Sequence, residues 1–232
     1  MKRLLLLILL PVQFAVAAGA SPVAVPDSMA ERVKPCVACH GPEGRAGGDA
    51  YYPRLAGKPK GYLFNQLRNF REGRRDYTPM ALLLENLSDQ YLMEMAGYFA
   101  ALRLPYPSPQ RAATRPAELE QARRLVTQGD PARKLPACVA CHGKELMGTA
   151  PYIPGLLGLP RDYINAQFGG WRTGLRRAGA PDCMAEIAKQ LTAVEVSAVA
   201  AWLAAQPVPA GTGPASALPG KLPLRCGSVV NP

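Results

Sequence analysis

The sequence predicts an all-α protein made of two tandem copies of one domain, related by internal duplication and joined by a proline-rich linker. Three observations carry this. Cys36-Val37-Ala38-Cys39-His40 recurs letter for letter as Cys138-Val139-Ala140-Cys141-His142. Behind each copy more residues repeat at a nearly constant offset, as a duplicated module requires: Tyr62, Gln66, Phe70 and Gly73 return as Tyr163, Gln167, Trp171 and Gly174, and Met80-Ala81 returns as Met184-Ala185. Apolar residues recur at helical spacing, and no alternating run is long enough for a sheet.

Met1-Lys2-Arg3, an apolar run from Leu4 to Leu10 and the small residues Ala15-Val16-Ala17 and Ala18-Gly19-Ala20 read as a secretory signal peptide over residues 1–20. The run is short for a membrane span and is broken by Pro11; an uncleaved anchor is the alternative. The first domain is read over 21–103 and the linker over 104–116, where Pro105, Pro107 and Pro109 forbid a helix. The second domain is read over 117–206, followed by a Pro/Gly-rich tail over 207–232.

Each domain is expected to hold a helix before the pentapeptide, a loop, a middle helix, a second loop carrying a methionine, and a final helix. Tyr62, Leu67 and Phe70, or Tyr163, Ile164, Gln167 and Trp171, give the middle helices a common face. The first final helix has an apolar stripe of Leu92, Met95, Ala96, Phe99 and Leu102 behind the cap Ser88-Asp89. Its counterpart starts at Thr192 with Glu195 three residues on, a capping box, and continues through Val196, Val199, Ala200 and Leu203.

C-x-x-C-H is the attachment signature of a c-type haem. Two thiols a short turn apart can add to the two vinyl groups of one macrocycle, while the adjacent imidazole bonds the iron. Cys36 and Cys39, then Cys138 and Cys141, are therefore the expected covalent anchors of two haem c groups, with His40 and His142 as axial ligands. A structural zinc site usually brings its C-x-x-C pairs closer together, and a thioredoxin-like redox pair needs a strand-to-helix context. Neither explains why the chain's only two histidines each follow the second cysteine directly.

With both histidines used, the opposite face of each iron takes Met, Lys, Cys, Tyr or nothing. Met1 leaves with the signal, and Met29 precedes the first site without a partner in the other half. Met147 follows its own histidine too closely, and Met93 and Met95 fall in a helix whose default use for them is packing. Met80 and Met184 alone hold equivalent places, and they are the expected distal ligands. A thioether raises the haem potential. Iron with both axial positions filled can cycle one electron with little ligand change, the behaviour of a carrier rather than a catalyst.

The formal charge is +10, of which Lys2 and Arg3 leave with the signal, giving +8. A basic surface favours redox partners with acidic docking surfaces. Arg and Lys are scattered and aromatics few, so no nucleic-acid stripe is present. In an oxidising compartment Cys183 and Cys226 are expected to form a disulfide that staples the tail near Met184. The alternative is a Cys183 thiolate on the iron.

The run C-V-A-C-H-G, then P-R-L-A-G-K with Tyr62 and Gln66-Leu67, then Phe70-Arg71-Glu72-Gly73-Arg74, then Met80 and Leu87-Ser88-Asp89, resembles a class I cytochrome c module. Its duplication resembles the periplasmic dihaem cytochromes of the c-four type, a likeness running from about Met29 to Gln206. The resemblance implies two His/Met haems at His40 with Met80 and at His142 with Met184. It also implies a periplasmic shuttle, soluble or peripherally membrane-associated, serving a terminal oxidase, a quinol-oxidising complex or a periplasmic reductase. Two other readings are a thiosulfate dehydrogenase-like dihaem oxidoreductase using Cys183, and a haem subunit of a dehydrogenase complex. Arg54, Arg74 and Arg176 are the candidate propionate partners.

Overall fold

The computed structural model describes residues 26–49, 51–218 and 220–229, so the signal peptide read over residues 1–20 lies outside the described residues. The first half runs α1 (Met29–Arg32), α2 (Lys34–His40), a 3-10 turn at Pro42–Gly44, α3 (Lys60–Arg71), α4 (Thr78–Leu84) and α5 (Asp89–Ala101). The second runs α6 (Pro116–Thr127), a 3-10 turn at Pro131–Arg133, α7 (Val139–His142), α8 (Arg161–Thr173), α9 (Cys183–Gln190) and α10 (Ala193–Ala204). Between α7 and α8 two short strands, β1 (Gly148–Thr149) and β2 (Ile153–Pro154), pair antiparallel. Among the described residues this hairpin is the one sheet, in keeping with two tandem cytochrome c domains.

Local chemistry sets the boundaries. The Ser88 hydroxyl accepts the Tyr91 N–H at 3.2 Å and starts α5. Thr192 and Glu195 form a reciprocal capping box at α10, satisfying two N–H groups that the helix itself leaves unpaired. Gly41 and Gly143, at φ 74° and 83°, stop α2 and α7 directly after each histidine, a conformation that glycine adopts without a Cβ penalty. The expected second loop proves to be helical. Met80 lies in the first turn of α4 and Met184 in the first turn of α9, because Pro79 and the Asp182 side chain, which accepts the Ala185 N–H at 3.1 Å, suit a helix start.

α5 packs on α3, and α10 packs on α6 and α8. Around them lie two separate cores: Val33, Leu63, Phe64, Leu84, Leu92, Met95, Ala96 and Phe99 in the first half, and a larger one centred on Leu125, Val126, Ile164, Val199 and Leu203 in the second. Among the described residues no single helix is long and apolar enough to cross a membrane.

The halves meet along a local two-fold arrangement. Asp76 N–H donates to Leu175 O at 2.8 Å and Arg177 N–H to Arg74 O at 2.7 Å, pairing Arg75 with Arg176 as an antiparallel bridge. The linker is pinned by the buried Arg54, whose guanidinium donates to Ala56 O, Pro105 O and Leu104 O and lies 4.1 Å from the Tyr106 ring centroid.

Candidate functional site

A cleft in the second half is walled by Cys138, Cys141, His142 and Met184, with Phe168 and Trp171 from α8 and Ile187 from α9. Leu222, Leu224 and Val229 of the tail also line it, as do Lys58, Tyr62 and Gln66 from the first half. Counting the open space at its mouth, the cleft encloses about 1580 Å³ free of atoms. All four sequence-predicted haem residues of this half therefore face one space. In the first half Cys36 and Met80 pack against the same core, His40 is buried beside it, and Cys39 is exposed.

Each histidine is held the same way. His40 Nδ1 lies 2.8 Å from Pro53 O and His142 Nδ1 lies 2.7 Å from Pro154 O. A carbonyl only accepts, so Nδ1 carries the proton in both and Nε2 keeps the lone pair that could ligate a metal, with the ring oriented from behind. Burial lowers the pKa of His40 and of His142 and keeps both imidazoles neutral, the form that ligates a metal. Burial likewise pushes the Cys138 thiol up to about 12 and raises Cys36 and Cys141.

Between the halves sit Arg75, Arg176 and Lys58, which form no ion pair with a carboxylate among the described residues. Arg75 donates to Gln66 Oε1 at 3.0 Å and Gln167 Oε1 at 2.9 Å, and Arg176 donates to Gln167 Oε1 at 2.5 Å. Their guanidinium groups stack 4.3 Å from the Phe70 and 3.8 Å from the Trp171 ring centroids. Burial, followed by the like charge of Arg176, lowers Arg75, and burial lowers Lys58. Trp171 Nε1 is buried with no hydrogen-bond partner. Unmet cationic and N–H capacity at a cleft wall suits an anion, and the propionate carboxylates of a haem are anions of that kind. With the thiol pairs and the oriented imidazoles, these residues fit haem c.

Of the candidate propionate partners, Arg176 lines the cleft, and Arg54 gives donors to the linker carbonyls of Leu104 and Pro105. Arg74 bonds Asn69 Oδ1 at 2.6 Å and pairs with Glu72. Arg75 and the Trp171 N–H were missed, as were the Pro53 and Pro154 carbonyls. A proline at matching positions of both repeats was the available signal for the last pair. Cys183 is bonded to Cys226, with Cα atoms 5.1 Å apart. Among the described residues no group of three or more His, Cys, Asp or Glu side chains could hold a free metal ion, so the zinc alternative lacks its ligand set.

No protein-family model matches the chain. It is 38% identical over 195 residues to the thiosulfate dehydrogenase electron acceptor of Thiomonas intermedia, covering 83% of this chain and 86% of that protein. It is 32% identical over 170 residues to cytochrome c4 of Pseudomonas aeruginosa, covering 72% and 82%. Among solved structures, reduced recombinant cytochrome c4 from Pseudomonas stutzeri superposes with a TM-score of 0.66 at 27% identity, covering 76% of this chain and 96% of that one.

Proposed function

Since the chain belongs to the cytochrome c4 family of dihaem c-type cytochromes, we propose that its haems are bound by His40 with Met80 and by His142 with Met184, and that it shuttles single electrons between periplasmic respiratory partners. The protein is an electron-transfer protein carrying two covalently attached haem c groups. When bound, the haems supply reversible one-electron chemistry. Cys36, Cys39, Cys138 and Cys141 anchor the macrocycles, and the Pro53 and Pro154 carbonyls fix the imidazoles. Arg176 and the Trp171 N–H receive propionate charge.

The observation that carries this reading is the second cleft, where both motif cysteines, a backbone-oriented histidine and the repeat-matched methionine line one cavity. With the neutral imidazole and the neutral thioether holding the iron, no position would remain for substrate. Cys183, bonded to Cys226, has no thiolate to offer the iron, which argues against an oxidoreductase. The name of the Thiomonas relative supports a more specific role, acceptance of electrons from a thiosulfate-oxidising dehydrogenase. The basic charge of the chain suits an acidic docking face on that donor.

Met80→Ala and Met184→Ala test the ligands. Each should lower the potential of its own haem by on the order of a tenth of a volt or more, within the ~0.8 V span that axial ligands command, and open that iron to exogenous ligands. Spectroelectrochemistry of the holoprotein reads this. An unchanged potential and spin state at one haem would show that its methionine is not the ligand.

A further inference from the structure

The tail does not trail away from α10. Ala215 N–H donates to Gly148 O at 2.9 Å and Ala150 N–H to Ala215 O at 2.8 Å, laying the tail beside β1. Gly227 N–H donates to Pro181 O at 2.9 Å, and a Cβ at Gly227 would sit 2.2 Å from Ala180 O, so backbone meets backbone there. Cys226 is bonded to Cys183, the residue before Met184. From the first half, Asn65 Nδ2 donates to Ser228 O at 3.0 Å. Between and beside these fixings, Leu222, Leu224 and Val229 line the second cleft together with Met184 and Ile187.

Among the described residues the first half has no such covering. On leaving α5 the chain gives its Leu104 and Pro105 carbonyls to Arg54 and passes on to the second half. On the helix of Met80, Leu82 and Leu83 are 63% and 51% exposed, and Tyr51 is 56% exposed.

We propose that residues 222–229 are a built-in cover on the second haem cleft, latched through Cys183–Cys226, that keeps water and small exogenous ligands from the second iron. The inference rests on the haem reading above. An apolar cover excludes water from the cleft, and solvent access is one of the protein's levers on a haem. The same latch ties the first turn of α9, so Met184 cannot swing away without dragging the tail. Met80, on a helix with bare leucines and no latch, is freer to yield its position.

The test is imidazole titration of the oxidised holoprotein, with each centre followed by electron paramagnetic resonance and magnetic circular dichroism. The unaltered protein should bind imidazole more readily at the first haem than at the second. Leu224→Asp, which keeps the disulfide and spoils the cover, should raise imidazole affinity at the second haem by about tenfold, as removal of a closing equilibrium of that size would, and leave the first unchanged. Cys226→Ser should do the same. If Leu224→Asp fails to fold by circular dichroism, Leu222→Ser takes its place.

Equal affinity at the two haems of the unaltered protein would overturn the cover. So would a rise in Cys226→Ser alone, which loosening of the first turn of α9 on loss of the disulfide explains without any cover. The spectra before imidazole report axial ligation by themselves, so failure of the His/Met reading is recognised separately from failure of the cover.

Discussion

The two halves carry the same C-V-A-C-H motif and a repeat-matched methionine on different amounts of support. Among the described residues, the first buries eight apolar residues in its core, has the four-residue α1 as its first helix, and leaves leucines of α4 in solvent. The second buries eighteen, opens with the twelve-residue α6, and adds the Arg133–Glu195 ion pair, a capping box, a disulfide and a tail across its cleft. A duplicated domain kept its C-V-A-C-H motif and its methionine and diverged in what packs around them. Apolar enclosure governs stability and solvent access, while the imidazole and thioether decide what the iron does, so the two can change independently.

If the support differs in this way, the halves should fail separately, and the largest effect falls on the weaker core. Leu92 and Leu203 are the most buried leucines of their respective cores. Each truncation to alanine should cost about 2–5 kcal/mol, but Leu92→Ala should melt the first half in a transition well below the second, whereas Leu203→Ala should bring the two together. Thermal melts followed at the Soret band of the holoprotein check this. A single shared transition in both variants would mean that the halves stabilise one another fully across the Arg75–Arg176 bridge.

Next in size is the latch. Cys226→Ser opens a loop closed over a sequence separation of 43 and should destabilise the second half by about 2–4 kcal/mol, with the first half unaffected in denaturant unfolding. An equal loss in both halves would place the effect in the contact between them.

The ion pair gives a smaller and pH-dependent effect. Burial raises the Glu195 carboxyl, but its bonds to Arg133 and Thr192 outweigh this and hold it below its ordinary value. A carboxyl depressed in the folded state contributes stability that is fully present above its unfolded value, about 4.3, and is lost as pH falls through the folded value. Glu195→Gln should therefore destabilise the second half by about 1–3 kcal/mol at neutral pH, and the gap should narrow on acidification below about pH 4. A gap independent of pH would assign the loss to packing.

Most of this was legible in the sequence because the ligands are scarce. With two histidines and one repeat-matched pair of methionines, the letters of the chain select the candidate axial set. Both N-caps, at Ser88 and Thr192, were readable from the hydroxyl before each apolar stripe. The helices carrying Met80 and Met184 were not, because seven or eight residues show too few turns to reveal a period, and Pro79 reads equally as a loop or a first turn. Arg75 was hidden among the run Arg71 to Arg75, where charge alone does not say which guanidinium turns inward. The tail was foreseen as a staple but not as part of the cleft wall, since Leu222 and Leu224 follow no periodicity and owe their place to long-range packing.

The measurement that bears most directly on the central claim is magnetic circular dichroism of the purified holoprotein in both oxidation states. Two low-spin haems, each bound by one imidazole and one thioether, are predicted. A five-coordinate, bis-imidazole or thiolate-bound centre in either half would contradict it.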